Sequence, residues 1–180
     1  MPLPSRDQTF ALESCRDLLE KLDRELDRYR AVAGRDQNEP QGLFDLVNQL
    51  KDSAFNAAVT AWQLGDWVFN DMTPEHRQAL AISSLDDLFS HVKKNCRALY
   101  LCRYAATASK HWIVNKNPDD KVRVQVEYEA GWTVNFIDDG VKTPAELVFA
   151  RALEFWTSFI YEHGIAKAAP GDIAKTVAEN

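Results

Sequence analysis

Leu43-Phe-Asp-Leu-Val-Asn-Gln-Leu-Lys-Asp-Ser-Ala-Phe-Asn-Ala-Ala-Val-Thr-Ala-Trp-Gln-Leu-Gly-Asp-Trp-Val-Phe-Asn70 is the stretch whose periodicity decides the fold. At 100° per residue, Leu43, Leu46, Val47, Leu50, Ala54, Phe55, Ala58, Ala61, Trp62, Leu64, Val68 and Phe69 fill one half of a helical wheel. Asp45, Gln49, Asp52, Asn56, Thr60 and Gln63 fill the other half, and Lys51, which intrudes into the apolar half, has a stem long enough to reach water. The pattern predicts a long central helix with one buried face. No uncharged window approaches the roughly 18 to 20 residues that span a bilayer, so no membrane role is expected.

Outward from this helix the same period recurs. Ala11, Cys15, Leu18, Leu19, Leu22, Leu26 and Tyr29 predict a first helix from about Asp7 to Ala33, stopped by Gly34. Asp36, Asn38 and Pro40 give the connection to Gly42 the chemistry of a loop. Thr73 and Pro74 resemble the entry to a short helical segment reaching about Ile82, and Ser84 is expected to cap a third long helix extending to about Lys110. Its apolar stripe is Leu85, Phe89, Val92, Cys96, Leu99, Cys102 and Ala106. The period then changes to two: Val122, Val124, Val126 and Tyr128 alternate with polar residues, and Trp132, Val134 and Phe136 follow after Ala130-Gly131, which predicts a β-hairpin over about 121–138. Thr143-Pro144-Ala145-Glu146 reads as a cap, a first-position proline and a third-position glutamate, opening a fourth long helix to about His163. The tail, about 165–180, reads as loose or as one short helix. The expected fold is mainly α: one domain over 1–180, a bundle of four long helices with the hairpin inserted between the third and fourth.

The 180 residues carry a formal charge of −6, yet residues 93–123 hold Lys93, Lys94, Arg97, Arg103, Lys110, Lys116, Lys121 and Arg123 against only Asp119 and Asp120, a net of +6. Cys15, Cys96 and Cys102 are odd in number and lack C-x-x-C spacing, and the opening residues lack the apolar stretch of a signal peptide. Both features lead us to expect a cytoplasmic protein with reduced thiols. The seven glycines spell neither a dinucleotide loop nor a phosphate loop, and no nucleophile elbow occurs. The four histidines, at 76, 91, 111 and 163, form no pair at i, i+4 and no carboxylate-bearing metal motif; Asp87 and His91 supply two ligands, too few for a structural site. Neither a metal nor a cofactor is implied.

On the wheel of the third long helix Lys93, Arg97, Tyr100, Tyr104, Thr107 and His111 share one stripe, which suits phosphate contacts through the cations and stacking through the tyrosines. The competing reading is that these cations answer acidic residues on a neighbouring helix. Lys110 adds to the same candidate anion site. Arg103 falls within the apolar stripe, where a guanidinium requires a partner, and Asp66 beside Trp62 is the expected one. Arg103-Tyr-Ala-Ala-Thr-Ala-Ser-Lys-His111, late in a helix of an α-rich bundle, resembles the Arg-spacer-His motif of HEPN domains, many of which are metal-independent ribonucleases that act as dimers. The resemblance implies that Arg103 stabilises phosphate charge and His111 transfers a proton. It covers one helix, and the seven-residue spacer exceeds the family's usual four to six. In a straight helix that spacer sets the two side chains about 80° and 12 Å apart.

Five Trp, nine Phe and five Tyr are many for one bundle, with Trp67 and Trp112 placed where each can anchor an interface. The leading functional expectation is therefore a non-catalytic, self-associating binding module, in all a homodimer. RNA cleavage through Arg103 and His111 is the alternative, with RNA or another anion as ligand, and a pocket between helices and hairpin is a third possibility.

Overall fold

The computed structural model describes residues 9–36, 42–110 and 119–165. Within them the chain is mainly helical, with one small antiparallel sheet. The elements are α1 (Cys15–Ala33), α2 (Leu43–Asp71), α3 (Pro74–Ala79), α4 (Leu85–Asn95), α5 (Arg97–Lys110), β1 (Val122–Tyr128), β2 (Trp132–Asp138), β3 (Val141–Pro144) and α6 (Ala145–Glu162). The expected tail beyond residue 165 lies outside the described residues, as do Asn38 and Pro40 of the first loop.

The central helix forms as its pattern requires, and α1 lies antiparallel along it. Asp71 accepts the Cys15 N–H at 2.6 Å at one end, and Lys21 donates to Thr60 at 2.8 Å further along. Helix α1 begins at Cys15 instead of Asp7 because Ser14 adopts extended backbone and exchanges hydrogen bonds with Asp17 in a capping box. Phe10 and Ala11, both at positive φ, turn the chain before that cap. Helix α6 runs back along α1, with Tyr29 edge-on to Phe149 at 5.6 Å and Arg30 bonded to Glu146 at 2.9 Å. The fully buried Trp156 donates its Nε1–H to the Ala61 carbonyl of α2 at 2.9 Å, so the largest core side chain is also satisfied.

Three expectations are corrected. The third long helix is two helices: Ser84 caps α4 as expected, but Cys96 leaves the helical region at φ −139°, ψ 97°, and α5 restarts at Arg97. Asn95 donates its side-chain amide to the His91 carbonyl, a local bond that competes with continuing the helix. With the third long rod broken in two, the helices are not a bundle of four long rods. The hairpin is likewise part of a three-stranded sheet in the order β1-β2-β3. Asp139 and Gly140 both take positive φ, which gives the two-residue turn whose twist suits adjacent strands, so the chain returns as β3 before α6. Thr143 and Pro144 belong to that strand; α6 begins at Ala145 with no side-chain cap.

The inner face of the sheet lies on the helices. Val122, Val134 and Phe136 are buried, and the Phe136 ring meets Phe149 edge-on at 5.9 Å. One apolar cluster joins residues of α1, α2, α4, α5, β1, β2 and α6.

Candidate functional site

The break at Cys96 changes what α5 presents. Its buried residues are Ala98, Leu99, Leu101, Cys102 and Ala106, and Arg103 sits roughly 120° from the middle of that stripe. It is half-buried, not in the core. Arg97, Tyr100 and Arg103 follow at three-residue steps and form a ladder: the Arg97 guanidinium carbon is 4.2 Å and that of Arg103 5.8 Å from the Tyr100 ring centre.

Arg97 is held by the start of the sheet. Its Nε donates to Asp138 at 2.7 Å, its Nη2 reaches the other Asp138 oxygen, and Asp119 lies 3.8 Å away. The fork holds the Asp138 carboxyl below the usual carboxylate range and raises Arg97 above its own. Tyr100 donates its hydroxyl to Asp119 at 2.8 Å, and burial together with that carboxylate pushes its phenol up. Lys121 pairs with Asp139 at 3.1 Å. Two of the cations between 93 and 123 are thus neutralised by the sheet's own aspartates. Arg103 forms no salt bridge among the described residues; it lies near Lys93, whose amine is pushed down first by burial and then by the Arg103 charge.

Asp66 does not meet Arg103. The groove-lining residues Tyr104 and Ala105 place this part of α5 beside α2 residues 54–58, and Asp66 is eight residues, about 12 Å of helix, beyond Ala58. Asp66 is half-buried, and its main-chain oxygen accepts the Asn70 amide at 2.8 Å. His111, Trp112 and Lys116 lie outside the described residues, and the Lys110 side chain does as well. Trp67 is partly buried against the core. Among the described residues no group of three His, Cys, Asp or Glu could hold a metal. Asp87 accepts from the Ser83 and Ser84 main-chain N–H groups at 3.0 and 2.9 Å, so it serves the cap of α4.

The feature that the periodicity did not reveal is a groove of about 480 Å³ between α2, α5 and the sheet. Ala54, Phe55 and Ala58 form one wall, Tyr104 and Ala105 a second, and Val124, Val126, Val134 and Phe136 the third, with Lys51 and Asp52 at the rim. Phe55 and Val124 remain 47% and 43% exposed although both belong to the apolar face of their element. The wheel marks which face is apolar; it does not say whether a neighbour covers it. A mostly apolar concavity of this size with a few polar groups has the build of a binding site.

No family model, no curated protein and no solved structure matches the chain. Among the described residues, no helix is long and apolar enough to cross a membrane.

Proposed function

We propose that this protein is a non-catalytic interaction module that associates with a second copy of itself. The observation that carries the reading is the open groove with Phe55 and Val124 at its surface, because contiguous exposed apolar area marks an interaction site more often than an idle surface. We assign the occupant to a second copy because the groove opens beside β1, one of the two edge strands of the sheet, and a free strand edge is a template for the same edge of another chain. Three free, buried cysteines support a cytoplasmic location for such a module. Light scattering coupled to gel filtration across the micromolar range tests the reading. Homodimers are expected, and Phe55→Asp, a change at an exposed position, is expected to shift them toward monomer. A wild-type chain that stays monomeric throughout overturns it.

One observation favours a second reading, RNA cleavage of the HEPN type through Arg103 and His111. Arg103 lacks a carboxylate partner among the described residues and stands with Lys93, which leaves two cations to receive a phosphate. The resemblance then supplies His111 as the proton-transfer group. An RNase assay in EDTA comparing the parent with His111→Ala decides it: equal inactivity of folded proteins ends this reading.

A further inference from the structure

We infer that two copies join through the outer edge of β1, paired antiparallel about Gln125, so that Arg123 of each copy faces Glu127 of the other. This rests on the self-association proposed above and specifies its surface and register.

The main chain sets which residues are free to pair. Asp139 N–H donates to the Lys121 carbonyl at 3.1 Å, which makes 121 and 139 a hydrogen-bonded rung of the β1–β2 ladder. Rungs of this kind alternate in an antiparallel pair, so Arg123, Gln125 and Glu127 turn their N–H and C=O groups toward β2, and Val124 and Val126 turn theirs outward. Val122 already donates to Asp119 at 3.1 Å. Among the described residues no main-chain partner is found for the outward groups of Val124 and Val126.

The two edges of the sheet differ. Strand β3 has four residues, carries Lys142 and ends at Pro144, three features that discourage a further strand. Strand β1 has seven residues in unbroken register with β2, without proline or bulge.

Charge then selects the partner. Arg123 is exposed and forms no salt bridge among the described residues. At the other end of the strand Lys142 is shared by Glu127 at 2.8 Å and Glu129 at 2.6 Å, one cation for two carboxylates. Each edge therefore has a surplus positive charge near its start and a surplus negative charge near its end. A two-fold axis at Gln125 sets Val124 opposite Val126 as a hydrogen-bonded rung and brings Arg123 opposite Glu127 twice. Parallel pairing would instead put like charge beside like. The arrangement also continues the apolar inner face across the joint, which covers Val124.

Charge reversal on the full chain tests the register. Arg123→Glu and Glu127→Arg each place like charges opposite one another in their own homodimer, and each is expected to weaken dimerisation about tenfold or more. Mixing the two variants restores complementary pairs at both positions, so the expected outcome is a heterodimer that forms more tightly than either homodimer. Gln125→Cys adds a second readout: thiols facing each other across the axis are expected to cross-link under mild oxidation, against a background of three buried native thiols. Circular dichroism verifies that each variant is folded. A dimer indifferent to both reversals, without preferential mixing and without cross-linking at residue 125, overturns the β1 edge while leaving self-association standing; a wild-type monomer overturns both.

Discussion

Glu25 is 4% exposed, among the most buried charged residues of the described chain, and its surroundings explain why it is tolerated. One of its oxygens receives both Lys21 and Arg28 at 2.8 Å, and Lys21 passes a second hydrogen bond to Thr60 of α2. Burial alone would raise the carboxyl, but the two cations outweigh it and hold it below its ordinary value. A carboxyl lowered by folding contributes stability above the unfolded value near pH 4.3, and that contribution is lost as pH falls through the folded value. Lys21 and Arg28 keep part of their surface in water, so Glu25→Gln is expected to cost about 1–2 kcal/mol at neutral pH, not the full penalty of a stranded buried charge. In urea unfolding the gap between parent and variant should close as the pH drops below about 4. A gap that persists unchanged into acid would show that packing, not charge, is what the substitution removes. The cysteines show the balance without a cation: burial pushes the Cys15 and Cys102 thiols far up, with the Asp71 carboxylate adding to the rise at Cys15, so both stay protonated in the folded chain.

At the level of elements, what the sequence made legible were the features set by neighbours in the chain. The period of α2, the Thr73 and Ser84 caps and the alternation of β1 and β2 all follow from residues within one or two turns of each other. The break at Cys96 was hidden because Val92, Cys96, Leu99, Cys102 and Ala106 are all buried and read as one stripe across it. Four residues and a helix-like Thr-Pro pair concealed β3 in the same way. Gly65 shows a constraint that only the assembled elements reveal. A Cβ there would come within 2.4 Å of the Phe89 ring, which stacks on Trp62 at 4.2 Å. Alanine would gain up to about 1 kcal/mol in helix propensity, yet forcing the α2–α4 contact apart costs about 1–3 kcal/mol, so Gly65→Ala is expected to lower the melting temperature. Phe89→Leu in the same chain should recover part of the loss, because the two changes act on one contact. If Gly65→Ala instead raises the melting temperature, Phe89 yields easily and the close approach is not a constraint.

Across the whole molecule, the expected positive surface and the observed one differ for a reason that composition hides. Charge that clusters in the sequence between 93 and 123 meets Asp119, Asp138 and Asp139 once the sheet folds back onto α5, so part of it serves to tie two layers together. A pocket between helices and hairpin was foreseen only as a possibility, and its lining could not be read, because that depends on how far the sheet stands from α2 and α5 and not on any one element's period. The layers nevertheless share one apolar cluster, with Trp156 at its centre bonded to α2 and Phe136 of the sheet packed on α6. No element among those joined by this cluster buries its apolar face alone, so loss of one exposes the others. Equilibrium unfolding in urea is therefore expected to be a single transition, with helix content by circular dichroism and tryptophan fluorescence giving the same midpoint. Arg97→Ala, which cuts the fork to Asp138, should move both probes together by the same amount, since the strut joins parts of one unit. Separate midpoints, or a shift confined to one probe, would mean that the sheet and the helices fold as two units and that α5 merely rests against β1.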